Sequence, residues 1–336
     1  MLRVAGPSLP YDPTYHLLGR FGKIRSIVLA ERPDVLEAHS PYLATAAVLA
    51  CGRSAARVRT AFWHADHVGT YVRPALAQHL GETAADVVAT PLWGCVRALL
   101  APFDATFVAG VAQETRLRSA GVKNIVHVPF GVDTRTFAPS ARSDPRRLDL
   151  LAGSTGPLLV GVGRFAVEKR WDVVLDAFAR VRARRGGTLV LFGDGPERDR
   201  LRSRASEGVR FAGFETDRRQ LATALASADV LVHGCPYETF GIGVAEAVAC
   251  GLPVVVPDAG GAAESVDLAC GETYRSLDAD ACAQAIERLL MRDATSLRER
   301  ALNAASRVPT LEQHFGQVVS TYDDLLRDSC YGTAPS

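Results

Sequence analysis

Leu158-Leu159-Val160-Gly161-Val162-Gly163-Arg164-Phe165-Ala166-Val167-Glu168-Lys169-Arg170-Trp171 is the stretch that decides the fold. The apolar run 158–162 reads as a buried strand, and the glycines end it. From Trp171 onward, Val173, Val174, Phe178 and Val181 share one helical face. Strand, glycine turn and helix make the repeating unit of a doubly wound sheet. The pattern continues downstream with strands at 188–192, 209–212, 230–233 and 254–256. Helices fall at 171–184, 197–205, 221–226, 243–249, 279–292 and 296–326. Upstream, strands are expected at 35–39, 58–63, 105–109 and 125–128, with helices at 84–100 and 112–120. Short β-branched runs alternating with helices argue for parallel βα units. Residues 139–157, rich in Ser, Gly, Pro, Asp and Arg, read as a linker between two sets of such units. The expected class is α/β, with two Rossmann-like doubly wound domains facing a cleft. The first spans 1–140 and the second 157–312, with a closing segment at 313–330.

Size and composition agree with this division. A chain of 336 residues suits two domains of about 150 each. Apolar residues at 48% and charged ones at 22% are the values of a globular protein with a real core. A formal charge of +1 gives no reason to expect nucleic-acid binding. The cysteine count, seven, is odd, and the residues are dispersed without a CxxC pair, so they read as small apolar residues in a reducing compartment. No apolar run reaches the roughly 18–20 residues of a membrane span. Pro7, Pro10, Asp12 and Pro13 interrupt any signal-peptide core, and a cytoplasmic protein is expected.

The first 60 residues carry eight Lys or Arg against four Asp or Glu. Within them, 15–32 places Leu17, Leu18, Phe21, Ile24 and Val28 on one side and Arg20, Lys23 and Arg25 elsewhere. An ordinary domain helix is the preferred reading. A basic amphipathic helix lying on anionic lipid at the inner face of the membrane is the alternative. Gly6-Pro7-Ser8-Leu9-Pro10 is no phosphate-cradling turn, so the first domain is expected to lack an opening βα unit.

Chemistry is sought first in the deciding stretch. Gly161-x-Gly163-x-x-Ala166 fits the dinucleotide fingerprint, which makes an NAD-linked oxidoreductase a competing reading. The helix opens too late for that, and the next strand ends about thirty residues on, instead of the roughly 20 the ribose carboxylate needs. What the loop does offer is Arg164 and Lys169, two cations able to neutralise a diphosphate. Pro236-Tyr237-Glu238-Thr239-Phe240-Gly241 leads into a helix whose opening N–H groups suit an anion. Glu238 in that loop and Glu246 two turns into the helix offer carboxylates at two depths for polyol hydroxyls. Glu246 lies between Ala245 and Ala247, where burial without a partner would be costly.

Gly163-Arg164-x4-Lys169, Leu191-Phe192-Gly193-Asp194-Gly195-Pro196, Glu238-Thr239-Phe240-Gly241 with Glu246, and Gly260-Gly261-Ala262-Ala263-Glu264 together resemble the retaining glycosyltransferases of family 4 (glycosyl transferases group 1, GT-B fold). The resemblance covers about 150–330 in order and spacing. Upstream, Pro33-Asp34-Val35 through His39-Ser40-Pro41, Phe62-Trp63-His64-Ala65-Asp66, and Gly131-Val132-Asp133 with Phe137 are similar to that family's segments. The resemblance implies a donor site for a nucleoside diphosphate sugar built from Gly163, Arg164, Lys169, Glu238, Phe240, Gly241 and Glu246. Arg164 and Lys169 would hold the diphosphate, Glu238 the sugar, the Phe240 and Gly241 amides a phosphate, and Glu246 the ribose. His64 would stand near the donor sugar and the acceptor, while His39, His67 and His233 read as structural.

The implied reaction moves a hexose, mannose- or glucose-like, to an acceptor hydroxyl of a glycan, lipid or small molecule. It retains the anomeric configuration and needs no metal or other cofactor. The closing segment 313–330 would pack back on the first domain. Two departures stand out, the absent opening strand with its glycine loop and Gly110 where the family often has Ser. They leave a catalytically impaired nucleotide-sugar binder as the second reading.

Overall fold

The structure, a computed structural model, describes residues 2, 4, 6–9, 12–40 and 42–331. Parts of the run 2–10 and Pro41 of the His39-Ser40-Pro41 segment lie outside them. The chain divides into two compact units, Met1–Pro129 with His314–Ser336, and Phe130–Gln313.

In the first unit, β1 (Ser8–Leu9) and β2 (Asp12–His16) form a short antiparallel pair. Helix α1 (Phe21–Glu31) precedes β3 (Val35–Ala38), and α2 (Leu43–Ala50) precedes β4 (Val58–Trp63). Then come α3 (Arg73–Leu80), α4 (Glu82–Leu100), β5 (Ala105–Val108), α5 (Val111–Ser119) and β6 (Ile125–His127). The sheet runs β3-β4-β5-β6, all parallel. Every residue of β4 and β5 is buried, the polar Arg59, Thr60 and Thr106 among them. Asp66, buried just beyond β4, accepts from the Gly69 N–H at 2.7 Å and pairs with the Arg116 guanidinium of α5. It fixes the turn that carries the chain away from His64.

The second unit opens with α6 (Asp144–Leu151) and β7 (Leu158–Val162). It continues through α7 (Trp171–Arg185), β8 (Thr188–Phe192), α8 (Arg198–Arg204), β9 (Val209–Gly213) and α9 (Arg218–Ser227). Next are β10 (Val230–Val232), α10 (Ile242–Ala249), β11 (Val254–Pro257), α11 (Gly261–Glu264) and β12 (Glu272–Tyr274). Helices α12 (Ala279–Leu290), α13 (Ala294–Ala305) and α14 (Leu311–Tyr331) close the chain. The six-stranded sheet has the order β12-β11-β10-β7-β8-β9, parallel throughout.

Four sequence expectations need correction. The helix expected over 15–32 opens only at Phe21, after β2 ends at His16, so Leu17 and Leu18 lie outside its apolar side. The stretch 139–157 is no linker. Its Ser and Pro residues open a helix, with the Ser143 hydroxyl accepting from the Arg146 N–H and a proline in the first turn. Leu150 and Leu151 of α6 are buried in the same core as Leu158 and Leu225. The first unit ends at Pro129 and not near 140, because 130–140 packs with the second. There Val132 bridges to Thr310, and Phe137 is buried beneath the Arg218 guanidinium, 4.7 Å from the ring centroid. The helix expected at 296–326 breaks between α13 and α14. Pro309 cannot donate in a helix interior, and Thr310 restarts it by a reciprocal cap. Its N–H donates to Gln313 Oε1 at 2.8 Å, and its hydroxyl accepts from the Gln313 N–H at 3.1 Å.

Once past His314, α14 belongs to the first unit. His314 Nδ1 meets the Pro129 carbonyl at 2.8 Å, Gln317 donates to the His127 carbonyl at 2.9 Å, and Tyr322 lies edge-on to Phe107.

Helix α6 is fastened to the sheet by a fork. Arg147 donates to both oxygens of Asp229 at 2.9 and 2.8 Å, and the second oxygen also accepts from the Leu158 N–H at the start of β7. Arg147→Ala is expected to lower stability by about 1–3 kcal/mol, with Arg147→Lys recovering little because an ammonium cannot bridge both oxygens. Urea unfolding of the three proteins measures this. A loss below about 0.5 kcal/mol would mean that Leu150 and Leu151 alone hold α6.

Candidate functional site

Strands β7 and β10 are neighbours in the sheet, yet the chain winds from β7 outward to β9 and from β10 outward to β12. At that reversal the loops leaving the two carboxyl ends part in opposite directions, which is where doubly wound sheets bind ligands. The loop after β7 carries Gly163, Arg164 and Lys169, and the loop after β10 carries His233, Cys235, Glu238, Phe240 and Gly241.

These loops lie against their neighbours backbone to backbone. Gly163 N–H donates to the Phe192 carbonyl at 3.0 Å, and Phe165 N–H to that of Asp194 at 2.9 Å. Gly193 has φ +153° and faces the Gly163 carbonyl, which a Cβ would strike. At Gly234 a Cβ would lie 2.7 Å from the Lys169 carbonyl and 2.6 Å from that of Arg170, so only glycine lets the two site loops touch. The Arg164 carbonyl accepts from the Trp171 indole at 2.9 Å, which ties the cationic loop to the buried start of α7.

The contact of the two loops brings opposite charges together. Lys169 Nζ lies 2.5 Å from Glu238 Oε1, and His233 Nε2 approaches the same oxygen at 3.4 Å. Burial pushes the Glu238 carboxyl up, but His233 and Lys169 outweigh it and hold the pKa at about 2. Burial likewise pulls Lys169 down, and Glu238 and Cys235 reverse this, so its net shift is upward. Burial and the Glu238 charge push the Cys235 thiol up to about 12. His233, Cys235 and Glu238 bring three potential metal-ligand atoms within 4.8 Å of one another. The Lys169 ammonium pairs with that carboxylate, and the thiol stays protonated.

Helix α10 begins at Gly241, which caps it with φ +87° in the left-handed region. The Gly261 N–H donates to the Glu238 carbonyl at 2.7 Å and so fixes the loop leading to that cap. The Phe240 ring stands edge-on to Phe130, with centroids 5.4 Å apart. Glu246, one residue among core alanines, is buried and is not partnerless, because the Arg218 guanidinium of α9 pairs with it. Burial moves the Glu246 carboxyl up, and Arg218 counters only part of the shift.

His64 belongs to the first unit and the other expected site residues to the second. It follows β4, with its ring stacked on Phe62 at 4.4 Å between centroids, and its Nε2 meets His39 Nδ1 at 2.7 Å. Burial and the neighbouring His39 pull its pKa down to about 4. Among the histidines read as structural, His39 and His233 stand beside expected site residues, and His67 packs edge-on to Tyr42. Arg218 was missed as well. It lies 28 residues from Glu246, and no local pattern links the two. The one available signal was Glu246 itself, a carboxylate in an apolar helix that required a partner.

The family model for glycosyl transferases group 1 matches residues 156–292. A GDP-mannose-dependent alpha-(1-6)-phosphatidylinositol dimannoside mannosyltransferase of Mycobacterium tuberculosis is 44% identical over 138 residues, which is 40% of this chain and 36% of that protein. A GDP-mannose-dependent alpha-mannosyltransferase of Mycolicibacterium smegmatis is 33% identical over 68% of this chain and 57% of its own. The chain thus spans only part of the curated relatives it matches. Among solved structures, sucrose-phosphate synthase from Thermosynechococcus elongatus aligns with a TM-score of 0.75 at 22% identity, covering 95% of this chain and 83% of that one. The Anabaena protein HepE, solved with UDP and glucose, aligns with a TM-score of 0.72 at 20% identity over 92% and 84%. Its α/β units are of GT-B type, and over residues 156–292 in its second unit the chain is similar to the glycosyl transferases group 1.

Proposed function

We propose that the chain is a retaining hexosyltransferase using a nucleoside diphosphate sugar, with GDP-mannose the first candidate donor. The observation that carries this is the Lys169–Glu238 pair beside the Gly241-capped start of α10, at the winding reversal of the second sheet. A cation and a carboxylate enclosed beside the start of a helix suit a diphosphate joined to a polyol.

In this reading the diphosphate takes the charge of Lys169 and Arg164 and the N–H groups at Phe240, Gly241 and the start of α10. Glu238 accepts from the sugar hydroxyls. Its low pKa keeps it ionised through the physiological range, as an acceptor must be. Glu246 takes the ribose hydroxyls in exchange for Arg218. As the glycosidic bond breaks, negative charge grows on the leaving diphosphate, and the fixed cations stabilise that growth. No side chain is assigned as nucleophile. The departing phosphate accepts the acceptor's proton on the face it leaves, which retains the configuration. His64 is assigned to the sugar and acceptor side.

One relative named above is a phosphatidylinositol dimannoside mannosyltransferase, and a lipid-borne or glycan hydroxyl is the acceptor proposed. Helix α1 is the proposed membrane-facing element. Its Phe21, Ile24 and Val28 are only half-buried, and Lys23 and Arg25 are exposed.

Thermal unfolding against GDP-mannose, UDP-glucose and ADP-glucose tests the donor site. A donor at 100 times its Kd adds about 2.7 kcal/mol of stability. A shift is expected with one nucleotide family, lost in both Lys169→Ala and Glu246→Ala. A shift that survives both substitutions, or none with any donor, would overturn the assignment. With the donor found, the anomeric proton signal of the product reads retention directly. Co-sedimentation with phosphatidylglycerol vesicles is expected to fall in a Lys23→Glu/Arg25→Glu protein. Equal binding by both proteins would remove α1 from the membrane reading.

A further inference from the structure

Three ionisable side chains of the first unit form a chain at the carboxyl ends of two adjacent parallel strands. Glu37 of β3 lies beside Thr60 of β4 in the sheet register. Its Oε2 accepts from the Thr60 hydroxyl at 2.8 Å, its Oε1 lies 2.6 Å from His39 Nε2, and the Tyr322 hydroxyl of α14 also donates to it. His39 Nδ1 then meets His64 Nε2 at 2.7 Å. The ionisable groups facing His64 are therefore His39 and Glu37 from the β3 end and His314 from α14, with Phe62 beneath its ring.

Proton counting along this chain leaves two arrangements. The Glu37 carboxylate only accepts, so His39 Nε2 carries a hydrogen. One proton then lies between His39 Nδ1 and His64 Nε2. If His39 is neutral, that proton is on His64 Nε2, and His64 Nδ1 is the unprotonated nitrogen. If His39 is an imidazolium paired with Glu37, His64 Nε2 accepts, and neutral His64 carries its hydrogen on Nδ1. Adding one proton to the pair therefore charges His39 and flips the tautomer of His64 without charging it.

We propose that His39 and Glu37 are positioning residues that hold His64 neutral and set which of its nitrogens donates. The charged form resides at His39 because Glu37 is there to pair with it, whereas His64 is half-buried on an aromatic ring. The directions of the shifts agree. The Glu37 hydrogen bond raises His39 above 6.5 despite burial, and burial with the adjacent His39 pulls His64 down to about 4. The tautomer is independent of the proposed transferase reaction, whereas its effect on turnover rests on that reading.

Ring 15N shifts of the histidine-labelled full chain between pH 4 and 9 provide the test, with His64→Asn used only for assignment. His64 is expected to be bare at Nδ1 above the His39 midpoint. Below that midpoint it should be protonated at Nδ1, becoming doubly protonated only near pH 4. In Glu37→Gln the His39 midpoint is expected to fall by at least about one unit, with the tautomer flip moving with it. In His39→Gln the flip should vanish. A His64 tautomer that stays constant through the His39 titration, or a flip unmoved in both variants, would overturn the proposal.

The linkage has a definite sign. Between pH 6.5 and 4 the unfolded chain takes up a proton at residue 64 that the native chain does not, so stability falls as pH falls, and His64→Asn should flatten that slope. If donor turnover is found, its pH profile should carry an inflection that moves with Glu37→Gln. Absence of turnover would count against the proposed function and leave the 15N result to decide the tautomer.

Discussion

A carboxylate taken out of water costs several kcal/mol unless a cation or good donors meet it, and Glu238 is such a group. Lys169 is its partner, 69 residues earlier in the chain, so the pair forms only if the loops after β7 and β10 touch. That contact in turn demands Gly234, where any side chain would collide with the Lys169 and Arg170 backbone. It also demands that β7 and β10 be neighbours, as the winding reversal makes them. The pair is therefore the meeting point of constraints from loop, sheet and topology. Removing either charge would leave the other buried and uncompensated, which costs more than the pair contributes.

Glu246 repeats the arrangement with a difference. Its partner Arg218 is half-exposed and stacks over Phe137, while Lys169 is largely enclosed with its carboxylate. A guanidinium near solvent can turn away at modest cost, since water replaces what it loses. The buried ammonium has no such freedom. The two carboxylates are therefore built for different demands, one held ionised by a fixed cation and one covered by a cation that can leave.

Legibility in the sequence followed locality. The strands 158–162 and 188–192 were readable because burial on both faces leaves a nearly continuous apolar run, and 58–63 because Val58, Ala61, Phe62 and Trp63 outweigh Arg59 and Thr60; the structure reproduces all three bounds. Lys169, Glu238 and Glu246 were readable as candidates because each sits at a fixed offset from a glycine turn or helix start. What the sequence hid was pairing at a distance. The segment 139–157 has the composition of a linker, yet its Ser143 and proline are helix-opening residues, and the Arg147–Asp229 fork spans 82 positions. The placement of 130–140 depends on Thr310 and Arg218, far along the chain. His39 and His233 looked structural because an isolated histidine usually is. Their neighbours, His64 from β4 and the Lys169–Glu238 pair, come together only when parallel strands align their ends.

The two units handle charge in opposite ways, and the chemistry of each follows from that. In the second, burial is balanced by cations paired with the carboxylates, Lys169 with Glu238 and Arg218 with Glu246. Such groups suit an anionic ligand whose charge grows during reaction, because nothing must reorganise as it grows. In the first, Glu37, His39 and His64 share protons across 2.6 and 2.7 Å contacts, and the shared proton decides which nitrogen donates. A group of that kind suits neutral hydroxyls, which both donate and accept, and can match either tautomer of His64.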